Sequence, residues 1–167
     1  LDDQQIAIRH TVEAICDFTG VPPKGWESPG LTETLETADL LAAEGIEYVA
    51  DWVLDDQPVE IQTNCGPIIS VPYTVETNDI TMMALQHHSS DEMLKRATDQ
   101  FDRLYMESET ITRVMAISLH PYITGAAHRI RYLEELYRYI LDHSDVLMWT
   151  GAEIADWYRG EISKTDC

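Results

Sequence analysis

The histidine at position 120 is the first candidate for chemistry in this sequence, because it follows an apolar run directly. Residues 114–119 read VMAISL, which predicts a short, fully buried strand. His120 would then stand at the carboxyl end of that strand, where parallel α/β folds build their active sites. An imidazole there could exchange a proton near neutral pH. It could equally cap the strand or the turn that follows.

Several acidic or amide side chains lie near the ends of predicted strands, while most of the 30 acidic residues are expected to solvate helix faces. Asp51 lies inside an otherwise apolar strand predicted over 46–54, where it could line a pocket or, as we favour, point outward from an alternating strand. Glu76, Asn78 and Asp79 follow a later strand. Each could line a pocket, but for Asn78 and Asp79 a helix-capping role is favoured.

Sequence motifs of several other kinds of chemistry are missing. There is no Gly-x-Gly-x-x-Gly or Walker-type loop, so nucleotide binding has no support. Ser28 lacks the glycine two residues earlier that a nucleophile elbow requires. No two of the six histidines have the i, i+4 spacing of a helical metal pair. We therefore predict no metal site from the residues of this chain.

Composition limits the size of the core and the kind of partner. With 167 residues, 44% of them hydrophobic, the chain is predicted to form a single domain over 1–167. A net charge of −19 argues against nucleic acids and anionic membranes and favours a neutral or cationic small molecule. Cys16, Cys65 and Cys167 are expected to be buried or free thiols in a reducing compartment. With no apolar membrane span and no secretory signal, a cytoplasmic location is predicted.

Apolar periodicity predicts alternating helices and strands, which is typical of an α/β fold with a parallel sheet. Helices are predicted over 2–18, 32–45, 79–85, 93–105, 130–141 and around 154–157. Strands are predicted over 46–54, 68–71, 114–119 and 146–149, with a shorter candidate at 24–30. Four or five strands are fewer than a closed barrel needs.

Four groups of residues in this order resemble motifs of one enzyme family. They are GWESPGLTET at 25–34; YVADW at 48–52 with DDQP at 55–58; PY at 72–73 with ETNDI at 76–80; and SLHP at 118–121 with Gly125 and HRI at 128–130. The chain thus resembles the polysaccharide deacetylase (NodB-homology) superfamily from about residue 8 to 158, and more narrowly its allantoinase-like cytoplasmic branch. The resemblance implies a distorted (β/α) barrel that hydrolyses C–N bonds.

The resemblance also implies roles for individual residues. Leu119 and His120 correspond to a Leu-x-His-like element, whose histidine is the general acid of the family. The family's catalytic base and metal ligands come from an Asp pair and a His-x-x-x-His motif upstream of where this chain begins. We therefore expect an α/β partial (β/α) barrel without its N-terminal strands, and a divalent metal only in a longer enzyme. Glu27-Ser28-Pro29 replaces the Arg-x-Pro motif of polymer-specific deacetylases, so that arginine's role is not carried over.

The expected substrate is a small ureide or an N-acetylated sugar. Carboxylates at the pocket mouth would favour a substrate rich in N–H groups. The substrate-binding candidates share positions near the ends of predicted strands: Trp26, Asp51, Tyr73, Glu76, Asn78 and Asp79. The alternative is a truncated, non-catalytic module that binds a ligand or partner. Because a partial barrel exposes strand edges, we expect the chain to form a homo-oligomer or to pack against a missing N-terminal segment.

Overall fold

The computed structural model describes the backbone of residues 2–165 and the side chains of residues 3–164. Its contacts divide the chain into two compact units. Unit 1 comprises the described parts of Leu1–Val71 and Trp149–Cys167, and unit 2 comprises Pro72–Met148.

Unit 1 is an α/β unit built on a four-stranded sheet with the strand order β1-β2-β4-β3. The neighbours β1, β2 and β4 run parallel, whereas β3 runs antiparallel to β4. The sheet is therefore mixed rather than purely parallel, and β3 was not predicted from the sequence. In chain order the elements of unit 1 are α1 (Asp2–Thr19), β1 (Gly25–Trp26), α2 (Thr37–Ala43), β2 (Tyr48–Val49), β3 (Val59–Ile61), β4 (Ile68–Ser70) and α5 (Gly151–Thr165).

The core of unit 1 joins the two N-terminal helices to the sheet. Its buried members are apolar side chains of α1, of α2 with the turn after it, and of two strands: Ile8, Leu41, Ile46, Val49 and Ile68. Val49 and Ile68 are 2% and 0% exposed, because parallel strands at the centre of a sheet are covered on both faces. From α1, Ile8 and Val12 pack on this core, whereas Ile15 is 39% and Phe18 92% exposed.

Two predicted elements of unit 1 are shorter in the structure. The strand predicted over 46–54 is limited to Tyr48–Val49, because its backbone pairing with β1 ends where Ala50 N donates to Trp26 O. The helix predicted over 32–45 begins only at Thr37. Before it, the Thr37 hydroxyl accepts a hydrogen bond from Thr34 N at 2.9 Å, and this side chain–backbone bond stabilises a turn instead of a helix.

Unit 2 is built mainly from helices that pack around an apolar core. Its helices are a π-helix at Ile80–Leu85, α3 (Glu92–Glu107) and α4 (Ile130–Leu141), which confirms the helices predicted over 79–85, 93–105 and 130–141. The buried core residues from α3 and α4 are Ala97, Phe101, Leu136 and Ile140. This arrangement follows from the i, i+3, i+4 spacing of apolar residues on both helices.

The strands predicted in unit 2 were wrong. The segment 114–119 forms only an isolated parallel bridge, between Ser118 and Asn78, and its residues are half-buried rather than fully buried. The ladder cannot continue because the segment beside it turns into the π-helix at Ile80. No strand forms over 146–149 either. Unit 2 therefore has no regular strand in its described residues.

Two further sequence expectations concern membranes and thiols. In residues 2–165, no helix is both long and apolar enough to cross a membrane. Cys16 and Cys65 are free thiols, while Cys167 lies outside the described residues. The exposed position of Cys65 and the half-buried position of Cys16 agree with the expectation of free cysteines.

Candidate functional site

A buried carboxylate and a half-buried imidazole form the central pair of unit 2. Asp79 Oδ1 lies 2.6 Å from His120 Nδ1. The second oxygen, Oδ2, accepts hydrogen bonds from His120 N at 2.8 Å and from Thr124 Oγ1 at 2.7 Å. The side chain of Asp79 is 0% exposed and that of His120 is 31% exposed. One aspartate therefore fixes both the backbone and the ring of His120.

The local fold brings this pair together from two distant segments. Ser118 N donates to Thr77 O, and Asp79 N donates to Ser118 O, so the two segments run side by side for a few residues. After His120 the chain turns, and Ile123 N and Thr124 N both donate to His120 O. This turn returns Thr124 to the carboxylate of Asp79.

Gly125 is required at the end of this turn. A Cβ on Gly125 would overlap the carbonyl oxygen of Pro121, so any larger residue would force the turn open. The presence of glycine at position 125 is therefore explained by the limited space that the surrounding backbone leaves for a side chain.

The geometry determines which ring nitrogen of His120 is available. An ionised carboxylate accepts hydrogen bonds but cannot donate them, so Nδ1 carries the proton that faces Asp79. Within residues 3–164, Nε2 of His120 has no hydrogen-bond partner. The ring packs edge-on against Tyr122 at a centroid distance of 5.6 Å, and the side chain as a whole is 31% exposed. A histidine held in this way can pass a proton at Nε2 while Asp79 stabilises the imidazolium.

A second polar group lies on the same two segments. The hydroxyl oxygens of Tyr73 and Ser118 are 2.8 Å apart, and Asn78 Nδ2 donates to the Tyr73 hydroxyl at 3.3 Å. Asn78 Oδ1 accepts from Ile80 N at 2.9 Å. Asn78 therefore caps the π-helix, as the sequence predicted.

The capping role predicted for Asp79 was wrong. Asp79 occupies the N-cap position of the π-helix, but its side chain makes no capping hydrogen bond. Its two oxygens are occupied by His120 and Thr124 instead. A fully buried carboxylate needs strong donors, and these two residues supply them.

Glu76 is at the surface of unit 2, in contrast to the buried pair. Its side chain is 75% exposed and lies 3.7 Å from the guanidinium of Arg96. Arg96 also contacts Glu92 at 3.3 Å. Exposed ion pairs of this kind contribute little to stability. The carboxylate of Glu76 does not join the hydrogen bonds of Asp79 and His120.

Two predicted substrate-binding residues, Trp26 and Asp51, lie in unit 1 and share one hydrogen-bonded group. Asp51 is 4% exposed, so the interpretation that it points outward was wrong. Its oxygens accept from Ser28 N at 2.6 Å and from Ser28 Oγ at 2.8 Å. The indole of Trp26 donates to Ser28 Oγ at 3.1 Å. Asp51 therefore joins the segment after β1 to the segment after β2.

Glu33 is a further acidic residue beside Asp51. Burial and the negative charge of Asp51 raise the pKa of Glu33, and a hydrogen bond from Trp52 opposes this effect only in part. Two carboxyl groups that share a partly buried site favour protonation of one of them. Glu33 was not singled out in the sequence.

Three residues of the polar groups described above were missed by sequence reasoning: Glu33, Ser118 and Thr124. Ser118 lies in an apolar run and Thr124 follows the site by four residues, so neither residue type signals a role by itself. Both are recognised only through their partners, Tyr73 and Asp79. For Ser118 the available signal was a hydroxyl inside a run otherwise suited to burial.

The acidic and histidine side chains do not assemble into a metal-binding set in the part of the chain that the structure describes. Among residues 3–164, no group of three or more His, Cys, Asp or Glu side chains is placed to hold a metal ion. The His120–Asp79 pair supplies only one nitrogen and one carboxylate.

Comparisons with known proteins agree with the motif resemblance. No family model matches the chain. A Schizosaccharomyces pombe protein named "Putative polysaccharide deacetylase" is 37% identical over 90 residues, which cover 53% of this chain and 28% of that protein. The solved PuuE allantoinase matches with a TM-score of 0.85 and 25% identity over 93% of this chain. The chain is therefore similar in sequence to a protein named as a polysaccharide deacetylase and in fold to an allantoinase.

Two further solved structures are also similar to this chain. A Pseudomonas aeruginosa structure described as a probable polysaccharide deacetylase has a TM-score of 0.81 and 28% identity over 90% of this chain. A Mycobacterium smegmatis structure has a TM-score of 0.80 at 20% identity over 96% of this chain, which shows the shared fold alone. The chain spans 52%, 51% and 57% of the three solved chains, about half of their length.

Proposed function

We propose that this chain contributes the proton-donating part of a hydrolase for non-peptide C–N bonds, with His120 as general acid. The observation that carries the proposal is the contact between His120 Nδ1 and the fully buried Asp79. We also propose that the α/β fold is part of a (β/α) barrel of the deacetylase type. The parallel pairing of β1, β2 and β4 and the likeness to solved chains about twice as long support this.

The proposed step is protonation of the leaving nitrogen. When a tetrahedral intermediate collapses, an amine leaves poorly unless its nitrogen receives a proton as the C–N bond breaks. Nε2 of protonated His120 donates that proton, and the ring becomes neutral. Nδ1 keeps its own proton throughout and donates it in a hydrogen bond to Asp79 Oδ1. The Asp79 carboxylate stays in place because it accepts three hydrogen bonds. Asp79 is thus a positioning residue rather than a catalytic one.

The proposed substrate is a small ureide or an N-acetylated amino sugar. These are the two substrate classes that the names of the similar proteins indicate. Both present an amide-type C–N bond to an acid. With a net charge of −19, the protein disfavours anionic substrates and partners at long range. Nucleic acids and anionic membranes are therefore not proposed as partners.

Hydrolysis assays of a single-histidine variant would test this function. His120→Asn, assayed with allantoin and with N-acetylglucosamine oligomers, is expected to lower kcat by about 10²-fold or more, because general acid catalysis contributes about 10²–10⁴-fold. His128→Asn is the matched control, because His128 is exposed in the same unit. Equal turnover by the wild type, His120→Asn and His128→Asn would remove His120 from the mechanism.

The alternative, a non-catalytic module, makes a different prediction for the same assay. A binding module would show no turnover of either substrate but would still bind one of them. That combination, with binding reduced by His120→Asn, would contradict the enzyme proposal.

A further inference from the structure

In the polar group of Tyr73, Ser118 and Asn78, two members lie within two residues of the proposed acid and its partner. Ser118 precedes His120 by two residues, and Asn78 directly precedes Asp79. The bridge between Asn78 and Ser118 is the backbone contact that also brings Asp79 to His120. The proposed catalytic pair and the polar group therefore share one local framework.

The orientation of Asn78 in this group is fixed by the backbone. Asn78 Oδ1 accepts from Ile80 N at 2.9 Å and from Thr81 N at 3.4 Å. The amide nitrogen must therefore face the Tyr73 hydroxyl, 3.3 Å away. Because an amide nitrogen only donates, the Tyr73 oxygen acts as an acceptor in this contact.

One hydroxyl hydrogen of the group remains without an acceptor. Tyr73 and Ser118 each carry a single O–H hydrogen, and their mutual contact at 2.8 Å uses one of the two. Whichever residue donates, the other hydroxyl has no acceptor among the side chains and backbone groups of residues 3–164. Both residues are half-buried.

We propose that Tyr73 and Ser118 form a polar specificity element that selects substrates with a hydrogen-bonding group, rather than a methyl group, beside the scissile C–N bond. This rests on the proposed function of His120. A carbonyl oxygen on the substrate would accept the remaining O–H hydrogen and so complete the hydrogen bonds of the two hydroxyls. An acetyl methyl group would leave the remaining O–H hydrogen unpaired and desolvated, which disfavours binding.

A binding titration tests this element separately from catalysis. Hydantoin, a small cyclic ureide, and N-acetylglucosamine are titrated into the isotope-labelled chain while the NMR signals of the Tyr73 ring and the Ser118 amide are followed. Hydantoin is expected to shift both signals. Tyr73→Phe and Ser118→Ala are each expected to weaken hydantoin binding about tenfold, the effect of losing one hydrogen bond.

The controls separate this element from general effects on folding. Tyr137→Phe removes a tyrosine hydroxyl elsewhere in unit 2 and should leave hydantoin binding unchanged. N-acetylglucosamine binding should change less than about twofold in any of these variants. Absence of hydantoin-induced shifts, unchanged affinity in Tyr73→Phe, or a parallel loss of N-acetylglucosamine binding would each overturn the proposal. Because Tyr73→Phe keeps the ring, its effect does not depend on whether Ser118→Ala folds.

The outcome also distinguishes this inference from the proposed function. Selective hydantoin binding without turnover by the wild type would contradict the hydrolase and leave the specificity element standing. Turnover that depends on His120, with no change in substrate preference in Tyr73→Phe, would support the hydrolase and remove the specificity element.

Discussion

Removing the buried carboxylate of Asp79 should destabilise the chain more than most single substitutions. The side chain is 0% exposed and accepts hydrogen bonds from His120 N, His120 Nδ1 and Thr124 Oγ1 at 2.8, 2.6 and 2.7 Å. Hydrogen bonds to a charged group contribute about 1.5–3 kcal/mol each, but the cost of burying the charge offsets part of this. We therefore expect Asp79→Ala to lower the free energy of unfolding by about 3–5 kcal/mol.

Asp79→Asn should have a smaller effect on stability. The asparagine oxygen can still accept from His120 N and Thr124, while its amide nitrogen faces His120 Nδ1 and cannot accept its proton. We expect a loss of about 1–3 kcal/mol. Urea unfolding followed by circular dichroism measures both variants. Asp99→Asn, an exposed carboxylate in the same unit, should stay within about 0.5 kcal/mol of the wild type. A loss below about 1 kcal/mol for Asp79→Ala would refute the assigned hydrogen bonds.

Three further predictions concern other parts of the chain. Burial and a neighbouring carboxylate raise the pKa of Glu33 above its ordinary value of 4.5. Between the ordinary pKa and the raised pKa, the folded chain binds more protons than the unfolded chain, so stability falls as the pH rises through that interval. Glu33→Gln should flatten that fall in urea midpoints measured from about pH 4 to 7, and an unchanged slope would contradict it. Gly125→Ala should lower stability by about 1–3 kcal/mol in urea unfolding, because its Cβ would overlap the Pro121 carbonyl; no loss would argue against this turn. Leu136→Ala, at a 0% exposed core position, should lower the free energy of unfolding by about 2–5 kcal/mol in the same assay. Leu141→Ala, at a 60% exposed position of the same helix, should be near neutral. Equal losses in the two variants would contradict the packing of α4.

Sequence patterns predicted the long helices better than the sheet. The apolar spacing of α3 and α4 extends over three or more turns, so it determines which face is buried, including Phe101 and Leu136. The strands are only two or three residues long, which is too short for a period of two to be recognised. Val59–Ile61 reads VEI between Pro58 and Gln62, and its pairing with β4 depends on a tertiary contact.

The candidate site was only partly predictable, because its hydrogen bonds also depend on tertiary contacts. His120 could be identified from its place after an apolar run, and Asp79 was noticed as a polar residue near a strand end. Their contact spans 41 positions in the sequence, so no local pattern indicates that Asp79 binds His120 instead of capping the helix. Asp51 is a parallel case, because its partner Ser28 lies 23 positions away. Local propensity favoured an exposed position, and tertiary hydrogen bonds determined a buried one.

The dependence of hydrolysis on the leaving amine tests the proposed role of His120 most directly. N-acetylated amines of increasing basicity would be assayed with the wild type and His120→Asn. If His120 protonates the leaving nitrogen, the rate ratio between the two proteins should be large for basic alkylamines and should approach one for weakly basic nitroanilines, which leave without a proton. A ratio that stays constant across the series would contradict general acid catalysis by His120.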